Sequence, residues 1–151
     1  MYTQRDQLLY ISKVEIYRYY ILITMNSKQF LILGGIVLVL VAILGMIGII
    51  GPTADQSIFS GNWWFDSAEN WAHLVLGVVA LIAAFVLPAG LQKPLVILVG
   101  LLAVVVGLYS AFVSTMLLGA NLESPADTVL HLAVGIWALL AELMGKNSMS
   151  M

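Results

Sequence analysis

Apolar residues run almost unbroken through four stretches of this chain, and polar residues collect between them. The first stretch, Phe30 to Ile50, stops at Gly51-Pro52, and the second, from Ala68 to Leu87, stops before Pro88-Ala89-Gly90. The third follows Pro94 and spans Leu95 to Leu118, and the fourth covers Ala126 to Met144. Crossing the hydrocarbon of a bilayer takes roughly 20 mostly apolar residues per helix, and each stretch is near that length and bounded by proline, glycine or charge. The pattern therefore predicts an all-α fold, a four-helix transmembrane bundle with helices at 30–50, 68–87, 95–118 and 126–144.

Composition points the same way. Of 151 residues, 62% are hydrophobic and only 9% charged, and the mean hydropathy of +1.03 lies far from the balance of a water-soluble domain. Residues 28–146 form the expected membrane domain, with a cytoplasmic or interfacial segment at 1–27 and a tail at 147–151. In the first segment Tyr2, Tyr10, Tyr17, Tyr19 and Tyr20 alternate with Ile, Leu and scattered charges. It lacks the basic start, apolar stretch and small-residue cleavage site of a signal peptide. It reads either as a segment lying on the cytoplasmic leaflet or as an extension upstream of a natural start at Met25. The absence of cysteine excludes disulfides, thiolate metal sites, iron–sulfur clusters and thiol redox chemistry. A net charge of -2 without a basic cluster gives nucleic acid nothing to bind.

The cations fix an expected orientation, because Lys and Arg stay on the cytoplasmic side during insertion. Arg5, Lys13, Arg18 and Lys28 precede the first helix, Lys93 lies in the turn between the second and third, and Lys146 follows the fourth. The opposite loops, 51–67 and 119–125, hold Asp55, Asp66 and Glu123 but no cation. Both termini are expected in the cytoplasm of a multi-pass cell-membrane protein, with Trp63, Trp64 and Phe65 anchoring an outer helix end in the headgroup layer.

Helices two and four repeat one another. Residues 68–83 and 126–141 align without gaps as A-(E/D)-x-x-x-H-L-x-(L/V)-G-x-x-A-L-(I/L)-A, with His73 opposite His131. Both copies run from outside to inside, which predicts two repeated helical hairpins about an axis along the membrane normal. On helical spacing, His73 shares a face with Gly77, Ala80 and Ala84, and His131 with Gly135, Ala138 and Glu142. Small residues allow close helix contact in lipid, so these faces are expected to point into the bundle and the histidines to approach each other.

Two readings of the histidines stand side by side. In one, His73 and His131 are cofactor ligands, axial to a haem or chlorin, or join Glu69 and Asp127, each four residues upstream, on a divalent metal. In the other they are structural: Asp66-Ser-Ala-Glu69 and Ser124-Pro-Ala-Asp127 read as capping boxes, with Pro125 at the first helical position, and each imidazole bonds to Tyr109, Ser110 or Ser114 on helix three. Glu142 breaks the repeat and is expected to pair with Lys146 one turn later. Helix one has no polar side chain between Phe30 and Ile50, which argues against a water-filled path.

The duplicated H-L-x-x-G, with Asn70 before the first histidine and Asp127 before the second, resembles a group of small four-helix prokaryotic membrane proteins catalogued as a domain of unknown function. The resemblance covers roughly residues 28 to 145 and implies the same span count, but it carries no activity to transfer; the Tyr-rich start departs from it. No nucleophile, phosphate loop or clustered carboxylate pair suggests an enzyme. The expected role is that of a structural or accessory subunit, partnered by the bilayer and by other membrane subunits or a second copy of itself. A cofactor protein using the two histidines is the alternative.

Overall fold

The computed structural model describes residues 25–144 and consists of four helices, α1 (Ser27–Met46), α2 (Ser67–Val86), α3 (Ala89–Phe112) and α4 (Ala126–Met144). All four are long and apolar enough to cross a membrane. The interfacial segment expected before Met25, the tail and Lys146 lie outside the described residues.

Local chemistry sets the helix ends, and at both ends of α1 and of α3 it overrides the hydropathy pattern. Asn26 caps α1, accepting from Gln29 N while the Gln29 side chain accepts from Asn26 N, so α1 starts before Phe30. It ends at Met46 and not Ile50, because Gly48 takes a left-handed φ of 84° and the amide of Ile49 returns to the carbonyl of Leu44. At the start of α3, Pro94 sits inside the helix and does not precede it. The buried Gln92 side chain donates to the carbonyls of Ala84 and Leu87, which ties off the end of α2 and makes the α2–α3 connection very short.

The far end of α3 is the larger correction to an all-helical reading. The helix stops at Phe112, and Met116–Leu117, expected to be helical, form strand β1 of a two-stranded ribbon whose second strand, β2 (Ala120–Asn121), falls in the expected loop. Positive φ values at Leu118 and Gly119 build its two-residue turn, and Leu118 at the tip is 98% exposed. Apolar composition alone cannot distinguish this ribbon from two more helical turns.

α1 packs along α2 and α3 along α4, while contact between the two pairs is sparser and mainly between α1 and α3. Close backbone approach seals each pair. A methyl group on Gly77 would lie 2.9 Å from the Gly35 carbonyl oxygen and 2.9 Å from Val39 N; one on Gly135 would lie 2.8 Å from the Gly100 oxygen and 2.8 Å from Val104 N. A small apolar core, Phe30, Leu31, Ala83, Ala84, Val96 and Ala138, joins all four helices near the end that carries Lys28 and Lys93, with Phe30 against Trp137 at 4.7 Å. Most of each helix surface points outward and is apolar, as at Leu40, Val75, Phe85 and Val105.

Candidate functional site

Polar side chains gather at the opposite end, where loop 51–66, the ribbon and the starts of α2 and α4 meet. The loop folds back through the bonds Ile58 N to Ile49 O and Phe65 N to Ile50 O. That brings Phe65 inward, buried against His73 at 5.0 Å. Trp63 also turns inward, and its indole N–H donates to Asp127 Oδ1 at 2.9 Å. Of the three aromatic residues expected to anchor in headgroups, Phe65 is thus buried in the protein and Trp63 is half-buried, its indole bonded to a carboxylate.

The capping box at α2 forms as expected: Glu69 N donates to Asp66 Oδ1 at 2.8 Å, and Asp66 N to Glu69 Oε2 at 3.1 Å. Its copy at α4 does not. The helix begins at Ala126, Pro125 lies ahead of it, and Asp127 Oδ2 accepts from Glu123 N at 2.7 Å. Asp127 therefore bonds one residue further back than the Ser124 box requires, and its second oxygen is left for Trp63. The hairpins are tied again where Asn121 N donates to Asp66 Oδ2 at 2.8 Å.

The two histidines do meet, with ring centroids 6.5 Å apart. The structure records neither bonding as the structural reading expected, and the hydroxyls of Tyr109, Ser110 and Ser114 bond elsewhere. Ser110 pairs with Thr128, Tyr109 donates to the carbonyl of Met116, and Ser114 accepts from Met116 N. His131 Nδ1 instead donates to its own helix, to the carbonyl of Asp127 at 2.8 Å, which leaves Nε2 with the lone pair in the neutral ring. His73 Nδ1 is buried and completes no hydrogen bond.

Glu69, Asp127 and Glu123 converge. Each offers a carboxylate oxygen within 4.8 Å of the other two, and they are 2%, 0% and 9% exposed. Sequence reasoning placed two of these acids near the histidines but took Glu123 only as a mark of the outer side. The spacing Glu123-x-x-x-Asp127 was the available signal, yet Glu123 lies before the helix, where periodicity gives no direction to a side chain. Burial, and then the negative charge of Asp127, push the Glu123 carboxyl up to about 7 from its ordinary 4.5.

That shift predicts a pH dependence. The folded state holds the Glu123 proton more tightly than the unfolded chain, so the contribution to stability is full below pH 4.5 and is lost as pH rises through about 7. With divalent ions chelated, the difference in melting temperature between wild type and Glu123→Gln should change in that window, wild type losing ground as pH rises. A constant difference from pH 4 to 8 would mean that Glu123 is not buried among acids.

At the end that carries the lysines, Glu142 lies 3.9 Å from Lys93 Nζ, and Lys28 sits over the Phe85 ring at 5.3 Å. Glu142 thus has a partner on α3; its expected partner Lys146 lies outside the described residues. No family model, curated protein or solved structure matches this chain.

Proposed function

We propose that this chain is a multi-pass protein of the cell membrane, with both termini in the cytoplasm, that works by packing, as an accessory subunit or with a second copy of itself. The observation that carries this reading is the outward apolar surface. About a third or less of each span is buried within the bundle, and side chains such as Val75, Phe85 and Val105 are exposed along its length. Such a surface needs lipid or another membrane helix to cover it. Membership of the small prokaryotic family is proposed on the duplicated histidine motif alone.

The bundle is two copies of one hairpin. Gly35 and Val39 stand to Gly77 as Gly100 and Val104 stand to Gly135, and Lys28 falls in register with Lys93. The same register sets Gly45 beside Asn70 in one hairpin and Ser110 beside Thr128 in the other. A Cβ on Gly45 would lie 1.9 Å from Asn70 Oδ1, so Gly45→Ser alone should destabilise by about 2 kcal/mol. Adding Asn70→Thr recreates the pair found in the second hairpin and should recover most of the loss. If the double variant is no better than the single in a denaturant titration, the hairpins are not equivalent.

The histidine pair favours a second reading as a cofactor site. An imidazole held by Nδ1 to a carbonyl, as His131 is, presents Nε2 in the manner of a metal or haem ligand, and the His73 ring lies 6.5 Å from it. Purification in mild detergent separates the readings. Stoichiometric partners or a defined oligomer, without colour or transition metal, support packing. A visible band or a bound transition metal that disappears in His73→Ala/His131→Ala supports the cofactor.

A further inference from the structure

Three carboxyl groups buried side by side cannot all ionise in a protein interior without compensation. Among the described residues the lysines, Lys28 and Lys93, lie at the other end of the bundle. Hydrogen bonds satisfy only part of the cluster. Asp127 accepts from Trp63 and Glu123 N, Glu69 Oε2 from Asp66 N, and Glu123 Oε1 from the Asn121 side chain. Glu69 Oε1 and Glu123 Oε2 are buried and have no partner, on side chains that are 2% and 9% exposed.

We infer that Glu69, Glu123 and Asp127 together hold one hard divalent cation, of the Ca2+ or Mn2+ kind, that ties the two hairpins at the outer end of the bundle. The donors are all carboxylate oxygens, which suit such ions and not soft metals. Their mutual separation of at most 4.8 Å matches ligands of one ion, since bonds of about 2.3–2.6 Å keep the oxygens within roughly 5 Å of one another. The surrounding bonds from Trp63, Asp66, Glu123 N and Asn121 hold the carboxylates in place, as outer groups around a metal do. One ligand comes from the first hairpin and two from the second, so the ion acts as a clasp. This site is separate from the histidine pair and does not depend on the packing reading.

The test uses full-length protein in detergent, stripped with a chelator and titrated with Mn2+ while the signal of free Mn2+ is followed by electron paramagnetic resonance. One Mn2+ per chain, displaced by Ca2+, is expected. Glu69→Gln and Glu123→Gln should each weaken binding about ten-fold or more, and His73→Ala/His131→Ala by less than about three-fold. As a control on folding, Ca2+ should raise the melting temperature of wild type but not of Glu123→Gln, whose unliganded circular dichroism should equal that of wild type. Absence of saturable Mn2+ binding overturns the inference. So does binding that survives both glutamine variants or is abolished by the histidine variant.

Discussion

Replacing Gly77 or Gly135 with alanine is expected to destabilise the protein by about 1–3 kcal/mol, and replacing either with leucine to prevent its hairpin from closing. The reason is the identity of the atoms in the way. At Gly77 the new methyl would meet a carbonyl oxygen and a backbone nitrogen at 2.9 Å, and at Gly135 the corresponding pair at 2.8 Å. A side chain can rotate aside, whereas backbone in the middle of a helix moves only if the helices part. In lipid that separation forfeits the packing that drives association, since the acyl chains are as apolar as the helices. Neighbouring glycines supply the control. A methyl on Gly34 comes no closer than 3.9 Å to the Phe30 ring, so Gly34→Ala should be neutral or gain up to about 1 kcal/mol of helix propensity, while Gly35→Ala loses stability. Unfolding in mixed micelles of increasing denaturing detergent measures all four. Equal effects at positions 34 and 35 would show that the pairs do not pack on this face.

The second large effect is expected at Asp127. Its carboxylate is fully buried and accepts from the indole of Trp63 and the amide of Glu123, so Asp127→Ala strands two donors and should cost about 2–4 kcal/mol. Asp127→Asn keeps one acceptor and relieves crowding with Glu69 and Glu123, so it should cost less. Combined with Trp63→Phe, the alanine change should be less damaging than the sum of the two, by about 1 kcal/mol, because the bond is removed once and not twice. Strict additivity would show that Trp63 and Asp127 are not bonded.

Much of the scaffold was legible in the sequence, because four apolar runs of bilayer length leave few alternatives. The capping box of Asp66 and Glu69 and the meeting of His73 with His131 followed from spacing along a helix, and the extent of α4 from its apolar run. What was not legible depended on contacts between segments distant in sequence. Trp63 reaches Asp127 from a loop, Glu142 finds Lys93 on another helix, and Glu123 joins Glu69 only because the two hairpins dock. The end of α3 failed for a different reason. Met116, Leu117 and Leu118 continue the apolar run, and the ribbon is set by two positive φ values that a leucine in the turn does not advertise.

The measurement that tests the membrane arrangement most directly exploits the lack of native cysteine, which gives single-cysteine labelling no background. Gly61, in the loop after α1, and Gly90, at the α2–α3 turn, are both exposed, and a side chain at either meets nothing within 4 Å. With a membrane-impermeant maleimide, Gly61→Cys should label in intact cells and Gly90→Cys only after the membrane is opened. Labelling of Gly90→Cys in intact cells, or protection of Gly61→Cys, would contradict a four-span bundle with both termini inside.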